Sequence, residues 1–367
     1  MVGYIGVADL QRMVRRIGTG AFIERLVNEL EVDYRRWSEF EKSPRVASHS
    51  DVGVIELMPI TDGRLYSLKY VNGHPRNTAA GLLTVTAFGV LADVQTGYPL
   101  LLSELTLTTA LRTAAMSALA ARRMARADSR VMALIGNGSQ SEFQAIAFHR
   151  INGIRELRLY DVDPDATAKL ERNLRSVPEL ADMTITTAQS TAEAVRGADI
   201  VTTVTADKRN ATILSPEMIA PGMHLNAVGG DCPGKTELHR DILLMPDARI
   251  VVEFEPQSRI EGEIQQLDAA HPVIEFARIV AGQETGRASD AEITIFDSVG
   301  FALEDYTALR VIHALRNEVP SERKTIDLLP VLEDPKDLYG GVLGAPQGLR
   351  HPQRASSSSR RRGSSFE

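Results

Sequence analysis

Between residues 21 and 40, apolar side chains recur at helical spacing: Phe22, Ile23, Leu26, Val27, Leu30, Tyr34, Trp37 and Phe40. The stripe predicts one long helix with a face committed to core or to a subunit interface. The pattern then shortens to strand-like runs at 52–58, 65–71, 82–91 and 98–102, the last pair joined by Asp93-Val94-Gln95-Thr96-Gly97. That joint carries turn chemistry, and the four runs predict a mostly antiparallel sheet. An alanine-rich segment, 106–125, favours helix strongly and leads to a polar joint at 126–130. Past the joint the rhythm becomes strand, glycine turn, helix, strand: VMALIG, then Gly136 to Ser141, then EFQAIAFHR, then LRLYD. This is a βαβ unit. Buried-strand candidates at 200–204, 224–228, 250–254 and 293–296, separated by material such as the helical 191–195, extend it into a doubly wound parallel sheet. Residues 301–318 have helical periodicity and are expected to return the chain to the first domain.

Composition narrows the partners. With 367 residues, 43% of them hydrophobic and 24% charged, the chain can build two domains with separate cores. A net charge of −7 argues against nucleic acid, whose phosphates demand clustered Lys and Arg. Small molecules are the expected ligands. Cys232 is the only cysteine, which excludes an intramolecular disulfide or a thiolate cluster. The N-terminus lacks a basic region followed by an apolar run, and no stretch approaches 18 apolar residues, so neither secretion nor a membrane span is expected and a cytoplasmic location is. The eight histidines show no ligand spacing, so no metal is expected. Residues 346–367, ending in RASSSSRRRGSSFE, read as a disordered tail.

A glycine pair in a turn is weak evidence by itself, but Gly136 and Gly138 sit directly between an apolar strand and a helix. The first can make the tight turn and the second can let backbone approach a pyrophosphate at the helix N-terminus. Ser141 stands where a third glycine or alanine is usual, a departure expected to loosen the packing of helix on strand. Asp161 ends the next strand, 23 residues after Gly138. A carboxylate there accepts from ribose hydroxyls and repels a 2′-phosphate, favouring NAD over NADP. The alternative is the same fold without a dinucleotide.

Several polar residues could do chemistry. Arg45, Lys69 and Arg112 lie beside predicted strands or near a helix start; they could converge on a carboxylate, or each could be a solvated surface charge. Glu56 interrupts the run Val54-Ile55-Glu56-Leu57-Met58, and alternation places it on one face with Val54 and Met58. A buried carboxylate there wants a cation, either a structural Arg or Lys or a substrate ammonium. Asp231 lies in the glycine-rich segment 226–235 after a strand, where open α/β sheets bind ligands; it is a general-base candidate or a turn-capping residue. Cys232 has no helper histidine in the motif and reads as a small structural thiol.

The stretches SPRVASHSDVGVIELMP, LKYVNGHP, GVLADVQTGYPLLLSELTLTTALRTAA, ALIGNGSQSEFQA, HLNAVGGDCPGKTEL, RIEGEIQQL and FDSVGFALEDY resemble the ornithine cyclodeaminase and mu-crystallin family over roughly residues 35 to 310. The resemblance implies an α/β fold: a Rossmann-type doubly wound parallel sheet domain at 129–300, and a discontinuous α+β substrate-binding and dimerisation domain at 1–128 with 301–345. It implies conversion of L-ornithine to L-proline and ammonia, with NAD recycled within the turnover, by a homodimer. In that pattern Arg45, Lys69 and Arg112 hold the substrate carboxylate, Glu56 faces the distal amine, Val299 lies near the substrate, and Asp231 is the acid/base. NAD would be held by Thr84, Arg112, Ser139, Gln140, Asp161, Thr205, Val228, Gly229, Gly230, Lys235 and Ser298, beside Gly136 and Gly138. The same family pattern leaves room for a lysine cyclodeaminase, an amino-acid dehydrogenase or imine reductase, and a non-catalytic binding protein.

Overall fold

The computed structural model describes residues 1–206, 212–318 and 323–343. The expected tail at 346–367 lies outside the described residues. A compact unit spans Gly3–Thr325, and a second comprises Met1–Val2 with the chain from Ile326 on, where the described part holds one short helix, Leu338–Val342.

Within the larger unit the chain opens with strand β1 (Val2–Ile5) and helix α1 (Val7–Ile17), elements too short or too polar for the periodicity to reveal. Helix α2 covers Thr19–Arg35, and a separate 3-10 turn covers Trp37–Glu39. The expected helix to residue 40 is therefore broken at Arg36. A 3-10 turn stacks i and i+3, so Trp37 and Phe40 keep the spacing of the helix they have left. Strands β2 (Val46–Ser50), β3 (Gly53–Thr61), β4 (Leu65–Gly73), β5 (Val85–Asp93) and β6 (Pro99–Glu104) follow. They pair antiparallel in chain order, and β1 adds to β6 in parallel. In the turn before β6, Asp93 accepts the Thr96 N–H at 3.0 Å and Gly97 takes φ +71°, as the turn chemistry predicts. Helix α3 (Thr106–Met124) starts where Glu104 accepts the N–H groups of Thr106, Leu107 and Thr108 at 3.1, 3.1 and 3.2 Å. Its small alanines let it pack against both α2 and α4 (Ser141–Asn152).

The second sheet is parallel throughout. Its strands are β7 (Val131–Ile135), β8 (Glu156–Tyr160), β9 (Thr184–Thr187), β10 (Ile200–Thr203), β11 (His224–Ala227), β12 (Ala248–Val252), β13 (Ile274–Glu275) and β14 (Ile293–Asp297), ordered β13-β12-β14-β11-β10-β7-β8-β9. The chain reverses its winding between β7 and β10. Helices α5 (Pro164–Arg175), α6 (Thr191–Val195), α7 (Arg240–Leu243), α8 (Glu255–Glu261) and α9 (Phe276–Val280) connect the strands. Helix α10 (Ala302–Glu318) leaves β14 and packs on α2, α3 and β3 to β5, so the chain does return to the first sheet. An aromatic cluster fixes that return: Trp37 stacks on Tyr34 at 5.6 Å and meets Phe301 at 5.5 Å, and Phe301 lies 4.9 Å from Phe254. Phe301 is fully buried, which contributes on the order of 1.5–3 kcal/mol, whereas Trp37 and Phe254 are partly buried against it. Phe254 follows Glu253 and Phe301 follows Gly300, so the cluster anchors two segments that reach the site.

Candidate active site

Strand β7 delivers Gly136 at φ +92°, a left-handed conformation open to glycine, and a Cβ there would lie 2.9 Å from the Val204 carbonyl. The turn after β7 thus presses on the loop after β10, at the reversal point where open α/β sheets take ligands. Gly138 faces open space. Helix α4 begins at Ser141, and Gln140, its N-cap residue, makes no side-chain cap and holds a buried Oε1 without a partner. Ser141 does not loosen the packing as expected: it is buried, and its hydroxyl donates to the Gly136 carbonyl at 2.9 Å, locking helix to turn. The Asp161 carboxylate accepts the N–H groups of Asn137 at 2.5 Å and Asp163 at 2.8 Å, at the rim of the glycine turn.

Neighbouring loops close on the same place. Glu237, buried, accepts from the Thr205 N–H and the Gly229 N–H, both at 2.9 Å, and so joins the loops after β10 and β11. Lys235 Nζ donates to the Thr205 carbonyl at 2.8 Å. The Val228 N–H donates to Thr203 and the Ser298 N–H to Ala227, each at 2.9 Å, which seats the loop after β14 beside the other two. A Cβ on Gly230 would fall 2.7 Å from Glu263, so backbone and carboxylate are in close contact there. Thr84 stands apart: it precedes β5 with its carbonyl accepting the His74 N–H at 2.8 Å, and no hydrogen bond among the described residues ties it to the glycine turn.

The three cations are buried and linked, not solvated. Lys69 Nζ sits 3.0 and 3.2 Å from the two Asp305 oxygens, and Arg112 Nε shares that carboxylate at 3.2 Å while its Nη1 meets Glu304 at 2.5 Å. Gly300, at φ +75°, leaves no room for a Cβ against the Arg112 guanidinium, and the Gly300 carbonyl accepts from Arg45 at 2.7 Å. Arg45 also donates to the Val299 carbonyl at 2.6 Å and to Glu56 at 3.0 Å. Glu56 lies on the buried face of β3 with Val54 and Met58, as alternation predicts. Burial works against the Arg45 charge, but Glu261, Glu56 and Asp231 outweigh it and raise its pKa. For Lys69 burial prevails over Asp305, with Arg112 adding repulsion, and the amine falls to about 8. Burial also raises Glu253, which accepts from Ser298 Oγ at 2.6 Å and the Val299 N–H at 3.0 Å.

Asp231 differs from these groups. Its side chain is 54% exposed, it accepts no turn-capping N–H among the described residues, and its nearest cation is Lys235 Nζ at 3.5 Å. Cys232 beside it is buried.

The model of the ornithine cyclodeaminase/mu-crystallin family matches residues 8–318. The chain belongs to that family. It is 57% identical to an ornithine cyclodeaminase of Agrobacterium fabrum over 343 residues, covering 94% of this chain and 95% of that one. Among solved structures, an archaeal alanine dehydrogenase dimer with bound NAD superposes with TM-score 0.80 at 30% identity, covering 89% of this chain and 99% of the other. A lysine cyclodeaminase, whose structure concerns recognition of L-lysine, L-ornithine and L-2,4-diaminobutyric acid, matches with TM-score 0.78 at 30% identity, covering 86% and 93%.

The loops described above lie at the carboxyl end of the parallel sheet, and the residues present there fit NAD. The open approach over Gly138, the orphaned Gln140 oxygen and the Asp161 carboxylate would offer a dinucleotide, in order, backbone access, an unspent acceptor and a partner for ribose hydroxyls. Reading the sequence one residue at a time misses Glu253, Glu261, Glu304 and Asp305. The signal for two of them was present: Glu304 and Asp305 sit on the inward stripe of a helical pattern, where paired acids are out of place unless cations face them.

Proposed function

We propose that this chain converts L-ornithine to L-proline and ammonia, using NAD, as a cytoplasmic homodimer. The observation that carries the reading is the gathering of Arg45, Lys69, Arg112 and Glu56 around the loop after β14 and the start of α10, with Asp231 close enough to act on the Arg45 charge, in a chain 57% identical to an ornithine cyclodeaminase. The segment 129–300 would hold NAD, and 1–128 with 301–345 the substrate and the partner subunit. Asp161 favours NAD over NADP by its charge.

When bound, NAD supplies reversible two-electron chemistry at the substrate Cα, which is oxidised and then reduced within one turnover. Arg45, Lys69 and Arg112 hold the substrate carboxylate and so fix Cα beside the loop after β14. The half-exposed Asp231 carboxylate takes a proton from the α-ammonium nitrogen, since a neutral amine is needed to stabilise the oxidised Cα. Glu56 holds the distal amine within reach of Cα, making ring closure intramolecular, an advantage of up to roughly 7–11 kcal/mol. Asp231 then returns its proton to the departing nitrogen, which leaves as ammonia.

The dimer reading has a surface to support it. On the outer face of the antiparallel sheet Val46, Ile55, Leu57 and Phe88 are exposed, and Tyr70 stacks on Phe88 at 5.0 Å. Contiguous apolar surface of this kind marks a protein interface.

The test is product analysis with L-ornithine, L-lysine and L-alanine in parallel, with the ornithine deuterated at Cα. Proline that retains the deuterium and no net NADH is the expected result. Pipecolate from lysine as the main product would move the assignment to a lysine cyclodeaminase, since one methylene discriminates by only about 1–3 kcal/mol. NADH accumulating with alanine would make the protein a dehydrogenase, and no turnover would leave a binding protein.

A further inference from the structure

Helix α8 ends at Glu261, and the next residue, Gly262, lies so close to Asp297 that a Cβ would be 2.4 Å from its carboxylate. That contact pins the end of the helix. It directs Glu261 at Arg45, whose Nε is 3.1 Å from Glu261 Oε2. The pair is poorly aligned: neither Arg45 Nε nor Glu261 Oε2 completes a hydrogen bond, and Glu56 Oε1, on the other side of the same guanidinium, also has no partner. Glu56 and Glu261 are 5% and 3% exposed, so water does not satisfy these oxygens. Arg45 therefore serves two buried carboxylates, each with an oxygen unspent, while its Nη2 is taken up by the Val299 and Gly300 carbonyls. Asp231 adds a third acid to the group. Burial lifts the Glu261 carboxyl to about 7, with Arg45 opposing and Glu56 and Asp231 reinforcing the shift. Three carboxylates thus face one guanidinium, and an ammonium with three donors matches the orphaned oxygens.

We propose that Glu261 is a second carboxylate, beside Glu56, for the distal ammonium of a diamino-acid substrate, and that it sets the preference for diamino over monoamino acids. This rests on reading the site as one that closes a ring from a diamino acid. Glu56 approaches from β3 and Glu261 from α8, so the two hold the distal nitrogen from opposite sheets and limit how far it can swing from Cα. A monoamino acid of the same length gains nothing from either.

The experiment compares wild type with Glu261→Gln and Glu261→Asp in three measurements: KM for L-ornithine, the inhibition constant of L-norvaline, which has the same carbon chain without the distal amine, and NAD affinity by calorimetry. In Glu261→Gln the ornithine KM should rise about ten- to hundredfold. Norvaline inhibition and NAD affinity should stay at wild-type values, and Glu261→Asp should recover part of the loss. Equal weakening of ornithine and norvaline would assign Glu261 a role in the fold alone, and an unchanged ornithine KM would remove it from the site; either result overturns the proposal. Wild-type protein that makes no proline from ornithine would instead remove the underlying reading, and this inference with it.

Discussion

Asp231 is conspicuous at the residue scale because it is loosely held in a site where almost every other charge is buried and bonded. Lys69, Arg112, Glu304 and Asp305 are fixed by mutual ion pairs, whereas the Asp231 carboxylate has one long contact and half its surface open. A group that must take and give back a proton needs that freedom, and a group that must only hold a charge in place does not. Asp231→Asn keeps the size and the loop but cannot accept a proton at neutral pH. Turnover should fall by about 10²–10⁴-fold, with NAD affinity by calorimetry and thermal stability unchanged. Unchanged turnover would take Asp231 out of the mechanism.

Among the elements, the glycine turn separates what the fold requires from what the ligand requires. Gly136 is demanded by the backbone, through φ +92° and the Val204 carbonyl; Gly138 has neither constraint. Gly136→Ala should lower stability by about 1–3 kcal/mol in thermal unfolding without any ligand. Gly138→Ala should leave unfolding within about 1 kcal/mol of wild type yet weaken NAD binding at least tenfold, because its methyl fills the pyrophosphate approach. Equal NAD affinity in Gly138→Ala and wild type would mean the dinucleotide lies elsewhere. This turn, with Asp161, was legible in the sequence because strand, glycine pair and helix are adjacent along the chain. The burial of Glu56 was legible for the same reason, since alternation in one strand reveals it. The ion pairs were not: Lys69 meets Asp305 across 236 residues and Arg112 meets Glu304 across 192, distances over which no local pattern extends. The cations could be read only as candidates until α10 was seen to fold back on β4.

In the molecule as a whole, the carboxyl end of the parallel sheet holds a ladder of buried acids. The Glu237 N–H donates to Glu263 at 2.7 Å, and the Glu263 N–H donates to Asp297 at 2.8 Å, so backbone N–H groups join acids from three loops. The arrangement braces the loops of the site but puts carboxyl groups where ionisation is costly. Burial drives Glu263 well above the usual range and Asp297 to about 7, against the backbone donors each accepts. A carboxyl whose pKa is higher folded than unfolded binds its proton more tightly in the native state, so its contribution is whole below the unfolded pKa and is lost as pH rises through the folded value. For Asp297 that window runs from 3.8 to about 7. Asp297→Asn keeps an acceptor for one of the Glu263 and Ile264 N–H groups, which bond to different Asp297 oxygens, and removes the ionisation; the lost bond lowers its stability equally at every pH. The variant should therefore gain on wild type as pH rises from 4 to 7, by at most roughly 4 kcal/mol, when both are unfolded in denaturant across that range. Comparing the two chains at each pH cancels the other titrating groups. A difference that stays flat would mean Asp297 titrates alike in both states, and a difference that shrinks with pH would mean the ladder favours the ionised form.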